Sequence, residues 1–249
     1  MLFHKAPLKL IKKYYPDYLG SVSVYGLQSY IIRKIVRPIV DRNIRSEDTI
    51  VDLGCGVGWL VNQLRREVTT AIGIDEVDSG FKKSSDMNLI KGSLCHLPIR
   101  GGRVDFAISL WVFEHLEKPR MAIAEIQRIL KPKGLVLIVV PNLLHPLIML
   151  SKIFPLWFKQ WMLYTLNGIR KETVLKTYYR ANTEGKLDRL FHEAGFKKVE
   201  FFYSDDASYW LFSKFLFRCA MAANQGLTKF HFLKRFKMNL IGLYWKEPF

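Results

Sequence analysis

Short apolar runs alternate with amphipathic stretches through the middle of the chain, over residues 46–141. Runs of strand-forming residues lie at 49–53, 70–75, 87–91, 104–109 and 135–140. Between them, residues 59–67 and 120–130 carry polar and apolar positions at the spacing of a helix. Strands that alternate with helices require crossover connections, so the pattern predicts a parallel sheet with helices on both faces. The continuous apolar run at 135–140 is typical of the centre of such a sheet.

Two apolar, aromatic and basic segments interrupt this alternation, at about 142–180 and 204–237. Between and after them, the pattern predicts a helix over 183–194, a strand over 196–202 and a last strand over 239–245. Apolar residues at helical spacing also predict a helix over 25–40. We therefore expect an N-terminal helical extension over residues 1–45 and one domain over 46–249 that contains both segments as insertions.

The excess positive charge lies outside the alternating middle segment. The chain has a formal net charge of +16, yet residues 46–141 hold 12 basic and 12 acidic residues. Residues 1–45 hold 9 basic and 2 acidic residues, and residues 142–249 hold 17 and 8. The flanks are therefore suited to an anionic partner, such as a membrane surface, a nucleic acid or a phosphorylated acceptor.

The cysteines give a first indication of the cellular compartment. Cys55, Cys95 and Cys219 lie far apart and form no Cys-x-x-Cys pair. This spacing predicts neither a metal site nor a disulfide framework, and it is typical of a reducing cytoplasm. The first 13 residues lack the uninterrupted apolar run of a signal peptide. We expect a cytoplasmic protein, with peripheral association with the inner face of the membrane as a further possibility.

A glycine-rich turn follows the first predicted strand, in the sequence Val51-Asp-Leu-Gly-Cys-Gly-Val-Gly58. Glycine allows the backbone to turn tightly and allows a ligand to approach the main chain. Asp75 ends the next predicted strand, about 20 residues further on, where an acid can accept hydrogen bonds from a ribose. A nicotinamide cofactor is the alternative ligand, but its usual signature is Gly-x-Gly-x-x-Gly, whereas here the glycines alternate with single residues.

These motifs resemble those of class I S-adenosylmethionine-dependent methyltransferases of the small-molecule type, similar to methyltransferase type 11. The resemblance covers residues 46–141 well and 181–249 loosely. It implies a Rossmann-like, doubly wound, mostly parallel seven-stranded α/β sheet with an antiparallel last strand. It also implies helical insertions over the acceptor site. The implied cofactor is S-adenosyl-L-methionine, and no metal is implied.

The resemblance also assigns roles to individual residues. The glycine-rich motif would hold the methionine end of the cofactor, and the acids after the second strand would hold the ribose. Residues 92–98 resemble the segment around the adenine, although Ser93 stands where the family usually has an aspartate. Residues 109–116 resemble the segment that closes over the cofactor. The implied cofactor-binding residues are Asp52, Gly54, Cys55, Gly56, Gly58, Asp75, Glu76, Ser93, Leu94, Leu110 and Trp111.

His115 is the candidate general base, because it follows the fourth predicted strand. A base is needed only when the acceptor must lose a proton. The alternative role for Glu114 and His115 is to pack the loop over the cofactor. His145, at the start of the first insertion, is a weaker candidate.

Several classes of acceptor fit the flanks. The motif of base-methylating enzymes, Asn/Asp-Pro-Pro-Tyr/Phe, and a Pro-Cys nucleophile are both absent, so an oxygen, carbon or amine of a smaller acceptor remains. Charge interrupts the apolar runs before the roughly 18 residues that span a bilayer. Aromatic and basic residues together suit the surface of a membrane, and hence a lipid or lipid-linked acceptor. The alternatives are a helical lid over a soluble small molecule, RNA methylation, and a non-enzymatic partner protein that retains the cofactor fold.

Overall fold

The computed structural model describes residues 31–78, 86–167, 174–205 and 213–248, which contain a seven-stranded sheet. The strands lie in the order β3-β2-β1-β4-β5-β7-β6. β1, β2, β3, β4 and β5 pair in parallel, and the last strands run antiparallel, which confirms the predicted fold class. The strand bounds are β1 Thr49–Leu53, β2 Thr70–Asp75, β3 Asn88–Lys91, β4 Val104–Leu110, β5 Leu130–Pro141, β6 Phe196–Ser204 and β7 Asn239–Lys246.

Helices connect the strands. The helices are α1 Arg37–Asn43, which continues a π-helical turn at Ile32–Val36, α2 Trp59–Leu64, α3 Pro119–Ile129, α4 Pro146–Ile153, α5 Leu156–Asn167, α6 Glu184–Glu193 and α7 Lys214–Lys229, with 3-10 helices at Phe113–His115 and His231–Phe236. Of the helix predicted over 25–40, residues 25–30 lie outside the described residues, as does most of the predicted N-terminal extension.

Several predicted element bounds differ from the structure, and two of the larger differences have a clear structural reason. The helix predicted over 59–67 ends at Leu64, because the amides of Glu67 and Val68 both turn back to the Leu64 carbonyl oxygen before β2 begins. The strand predicted over 135–140 begins already at Leu130, which pairs with Val104. A Cβ on Gly134 would lie only 3.2 Å from the Asp105 carbonyl oxygen, so glycine is what allows β5 to stay beside β4 there.

The described chain divides into two compact units. The first, which we call the sheet unit, comprises the described residues of 44–141, 178–202 and 240–248. The second, which we call the accessory unit, comprises the described residues of 31–43, 142–177 and 203–239. The motifs that resemble the methyltransferase family all belong to the sheet unit.

The core of the sheet unit is apolar and well packed. β4 and β5 bury most of their side chains, and α3 buries Ile123 and Ile126 at helical spacing. The rings of Phe191 and Tyr244 stack with their centroids 4.4 Å apart. The buried Tyr244 hydroxyl donates a hydrogen bond of 2.7 Å to Asp188, which satisfies its polar group. This rigid core holds the ends of the strands in fixed positions.

The accessory unit contains a buried, hydrogen-bonded asparagine and two helices whose described side chains are not buried. The buried Asn142 donates from its side-chain amide to the carbonyl oxygens of Arg235 and Lys237, at 2.7 Å each, and so joins the two insertions within this unit. None of residues 146–165, in α4 and α5, is buried. None of the helices in the described part of the chain is both long and apolar enough to cross a membrane.

Candidate functional site

The glycine-rich turn is fixed by neighbouring strands. Gly54 and Cys55 both donate from their backbone amides to the carbonyl oxygen of Ile74 in β2, at 2.7 and 3.1 Å. Gly54 has a φ of 80°, in the left-handed region that favours glycine. A Cβ added to Gly54 would lie 2.2 Å from Val112 Cγ2. The loop that follows β4 therefore presses directly against the glycine-rich turn.

Asp75 joins the turn to the end of β2. Its Oδ2 accepts a hydrogen bond from the Gly56 amide at 2.8 Å, and its Oδ1 accepts one from the Val77 amide at 2.9 Å. A carboxylate oxygen can accept about two hydrogen bonds, so each oxygen keeps capacity for a further donor. Nothing lies within 4 Å of the position that a Cβ on Gly56 would occupy. The structure thus brings the predicted acid and the predicted glycine into direct contact beside open space.

Asp52 lies in the middle of the sheet, between Gly73 of β2 and Ile108 of β4. Its side chain is 5% exposed. Burial raises the pKa of Asp52 to about 7, and the negative charge of Asp75 adds to the shift. No described residue donates a hydrogen bond to this carboxylate. It is therefore a buried acid that lacks a cation.

Ser93 and Glu76 also lie together. The Ser93 hydroxyl donates a hydrogen bond of 2.7 Å to Glu76 Oε1, across 17 positions of sequence. The same hydroxyl oxygen accepts from the Cys95 amide at 3.4 Å, and Leu94 between them is buried. The family usually has an aspartate at the position of Ser93. In this chain, the carboxylate of Glu76 lies beside that position instead.

The segment after β4 contains a strained residue that the sequence pattern does not reveal. Trp111 has a φ of 55°, which is costly for a bulky residue and is found mainly where the surroundings enforce it. Its amide donates to the Val139 carbonyl oxygen in β5 at 2.8 Å. This bond fixes the direction in which the chain leaves Leu110 and carries Val112 over the glycine-rich turn.

His115 ends the 3-10 helix Phe113–His115 and is about a quarter exposed. Its Nε2 lies 3.9 Å from Oε1 of Glu114, whose carboxyl group is buried. Burial raises the pKa of Glu114 to about 8. From the sequence, Glu114 is expected only to pack the loop over the cofactor. An acid placed directly after the apolar run Leu110–Phe113 was the one signal that could have singled it out.

His145, the weaker candidate base, has a structural role in the accessory unit. It is the N-cap of α4, where its Nδ1 accepts from the Leu147 amide at 3.3 Å. Its Nε2 lies 4.0 Å from Asp205 Oδ1. Burial lowers the pKa of His145 to about 4, so the ring is neutral at physiological pH. With one ring nitrogen used by the cap, His145 is poorly suited to accept a proton from an acceptor.

The chain is similar to known methyltransferases and to proteins without an assigned function. A family model described as a methyltransferase domain matches residues 27–200. An uncharacterised protein of Methanocaldococcus jannaschii is 27% identical over 142 residues, which cover 57% of this chain and 55% of that protein. The chain therefore spans about half the length of that relative. A demethylmenaquinone methyltransferase of Staphylococcus aureus is 25% identical over 211 residues, covering 79% of this chain and 85% of that protein.

A solved structure shows the same fold. The S-adenosylmethionine-dependent methyltransferase of Archaeoglobus fulgidus superposes with a TM-score of 0.58 at 14% identity, covering 96% of this chain and 100% of that chain. The site is compatible with the cofactor of such proteins, because a buried carboxylate without a cation suits the cationic amino-acid end. Asp75 also has acceptor capacity for hydroxyl groups. By its matched domain and its sheet, the chain belongs to the class I S-adenosylmethionine-dependent methyltransferases.

Proposed function

We propose that this protein transfers a methyl group from S-adenosylmethionine to a lipid or lipid-linked acceptor at an anionic membrane surface. The observation that carries the proposal is the set of exposed aromatic and aliphatic side chains on the basic insertions of the accessory unit. The Staphylococcus aureus relative is named for an acceptor, demethylmenaquinone, but 25% identity leaves the acceptor of this chain to be argued from its own residues.

The residues of the sheet unit support specific roles toward the cofactor. Asp52 and the glycine-rich turn would hold the cationic methionine end, and Asp75 would accept hydrogen bonds from the ribose. Glu76 and Ser93, with Leu94, would border the adenine. Cys55, Leu110 and Trp111 would line the same cleft. The proposed cofactor contacts are therefore Asp52, Gly54, Cys55, Gly56, Gly58, Asp75, Glu76, Ser93, Leu94, Leu110 and Trp111.

The bound cofactor supplies an electrophilic methyl group, and the protein has to align the acceptor with it. For an acceptor that carries a proton on its reacting oxygen, nitrogen or carbon, we propose His115 as the general base. Its partial exposure leaves a ring edge open to solvent, and the 3-10 helix fixes its backbone. For an acceptor that is already a free nucleophile, alignment is sufficient.

The accessory unit exposes large apolar side chains to an unusual degree. In the first insertion, Ile153, Trp157 and Trp161 are 76%, 68% and 52% exposed. In the second, Phe215 and Phe232 are 73% and 65% exposed. Exposed apolar residues that are scattered singly need no explanation, but several in one unit indicate an interaction surface. Tryptophan in particular favours the interface between headgroups and acyl chains.

The insertions that contribute to this unit carry more basic than acidic residues. Residues 142–177 contain five lysines and arginines and one acid, and residues 203–239 contain six lysines and arginines and two acids. Each Lys or Arg near an anionic bilayer contributes about 1 kcal/mol of attraction. Such an excess of basic residues complements anionic phospholipid headgroups, whereas a lid over a neutral soluble substrate would not need it. We therefore propose that the partner of these insertions is an anionic phospholipid surface.

Flotation with phospholipid vesicles tests the membrane part of this proposal. The full chain should float with vesicles that contain anionic phospholipid and should float less with vesicles of neutral phospholipid alone. The double variant Trp157→Ala, Trp161→Ala should reduce the bound fraction, because each exposed indole contributes about 1–2 kcal/mol on insertion. The matched control is Met121→Ala with Val199→Ala, which removes exposed apolar side chains from the sheet unit and should bind like the wild type.

The methyl transfer is tested with the same preparations. Incubation with methyl-labelled S-adenosylmethionine and a total lipid extract should place label in the organic phase, and Asp75→Asn should abolish this. Label confined to aqueous products, with no vesicle binding at low salt, would favour a soluble acceptor under a helical lid and overturn the membrane proposal. Label in RNA, with a steeply salt-dependent affinity, would favour nucleic-acid methylation instead.

A further inference from the structure

Glu114 is buried, yet half of its carboxyl group has no partner. Its side chain is 4% exposed, and Oε2 is a buried oxygen without a hydrogen-bond partner among the described residues. Leaving a buried carboxyl oxygen unpaired costs on the order of 1–3 kcal/mol. A residue that only filled space here could be an apolar one at lower cost. The position therefore keeps an acid for a reason other than packing.

The backbone around Glu114 is held rigidly by a distant part of the sheet unit. The Glu114 carbonyl oxygen accepts hydrogen bonds from the amides of Tyr178 and Tyr179, at 2.7 and 3.2 Å. Tyr179 is buried and has a φ of 52°, which is a strained backbone conformation for a residue other than glycine. One residue later, Arg180 donates to the Glu117 carbonyl oxygen at 2.7 Å. The 3-10 helix that carries Glu114 and His115 is thus held at its middle residue and just beyond its end.

The imidazole of His115 lies beside the Glu114 carboxyl group. Oε1 of Glu114 lies 3.9 Å from Nε2 of His115, which is too long for a hydrogen bond but close enough for the charges of the two groups to interact. Among the described residues, Tyr178 and Tyr179 contact Glu114 through their backbone amides, and Arg180 binds the Glu117 carbonyl oxygen beyond the end of the 3-10 helix. The β5 strand that packs against the turn contributes the buried apolar residues Val139 and Val140.

We infer that Glu114 is a positioning residue for His115: its buried carboxyl group orients the imidazole and couples the ionisation of the two side chains. The inference rests on the proposed function, in which His115 receives the proton that the acceptor loses. Burial holds Glu114 protonated at neutral pH, since its pKa is raised to about 8. His115 then faces a neutral acid rather than an anion, and a neutral neighbour does not stabilise the imidazolium in advance of the reaction. When Glu114 ionises above about pH 8, the anion makes the neighbouring imidazole more basic, so the two ionisations are coupled.

The test follows the two side chains in the protein without cofactor, by histidine and glutamate carbon-13 NMR across pH 5 to 10. In the wild type, the ring signals of His115 should show an inflection near pH 8 that coincides with the titration of the Glu114 carboxyl carbon. Glu114→Gln keeps the shape of the side chain and should remove this inflection. Glu117→Gln, which removes an exposed carboxylate three residues away, should leave it in place.

The outcomes separate this inference from the proposed function. If the His115 signals show no inflection near pH 8 in the wild type, or keep it in Glu114→Gln, the coupling does not exist and the inference is wrong. Because this measurement needs neither cofactor nor acceptor, it stands whether or not methyl transfer to lipid is observed. If Glu114→Gln fails to fold, the wild type alone tests the inference, because the inflection of the His115 signals must coincide with the titration of the Glu114 carboxyl carbon. In the active enzyme, the same variant should remove any change in kcat that accompanies the ionisation of Glu114 near pH 8, without a change in the KM for S-adenosylmethionine.

Discussion

The replacement Asp52→Asn should stabilise the fold at neutral and alkaline pH while it weakens the binding of S-adenosylmethionine. Asp52 is fully enclosed at the centre of the sheet and has no partner cation in the protein without cofactor. Its ionisation there is opposed by desolvation and by Asp75, whereas in the unfolded chain it ionises freely. Asparagine has nearly the same shape and cannot ionise. The replacement therefore removes the electrostatic cost and keeps the packing.

The magnitude follows from the difference between the two pKa values. The pKa of Asp52 rises from 3.8 in its ordinary setting to about 7 in the fold. Each unit of difference corresponds to 1.36 kcal/mol, so the wild type loses about 4 kcal/mol of unfolding free energy as ionisation becomes complete. For an acid with a raised pKa, this stability is fully present below pH 4 and is lost as the pH rises through 7. Above pH 7 the difference from Asp52→Asn should reach a plateau.

Urea unfolding of the protein without cofactor, at pH values from 4 to 9, measures this effect. The quantity of interest is the difference in unfolding free energy between Asp52→Asn and the wild type, which should increase by about 4 kcal/mol over the range and then level. Other buried acids such as Glu114 contribute equally to both proteins and cancel in this difference. Asp78→Asn, at an exposed ion pair with Lys91, should change it by less than about 1 kcal/mol. Parallel stability curves for Asp52→Asn and the wild type would refute the argument.

Two further substitutions test other parts of the structure. Gly54→Ala should abolish calorimetrically measured binding of S-adenosylhomocysteine and lower the unfolding free energy by at least about 1 kcal/mol, because the new Cβ would lie 2.2 Å from the stiff Val112 side chain at a φ of 80°. The control Gly185→Ala, in α6 with nothing within 4 Å, should be neutral or slightly stabilising, and an equal loss in both would contradict the steric reasoning. Tyr244→Phe removes the 2.7 Å hydrogen bond to Asp188 but keeps the stacked ring, so urea unfolding should show a loss of about 1.5–3 kcal/mol; no loss would mean that water replaces the bond.

The fold could be predicted because its signals are local. Each parallel strand is a short run of β-formers, and each connecting helix has its own spacing of apolar positions, so the order of elements follows from neighbouring residues. The bounds were less accurate where a turn or an irregular pairing decides them. Leu64 ends α2 and Leu130 begins β5 because of hydrogen bonds and pairings that the local pattern does not contain.

For the candidate site, the sequence predicted which residues to consider, and the structure shows how some of them are arranged. The glycines near Asp52 and the acid after the second strand are visible as a motif with a characteristic spacing, and the structure joins Gly56 to Asp75 by a hydrogen bond. The roles of these residues in cofactor binding, and of His115 in proton transfer, remain predictions. The same holds for the association of the insertions with a membrane.

The sequence by itself determined the family, the methyl donor and the separation of a neutral middle segment from basic flanks, because these depend on residue types and on distances along the chain. Only the tertiary structure decided the environment of each group. It placed Val112 over Gly54, forced Trp111 into a left-handed backbone and joined Ser93 to Glu76. It also buried the acid beside His115. Most of these features arise from contacts between segments that are distant in sequence. Burial raises the pKa of Glu114, and burial is a property of the packed fold and not of the residue.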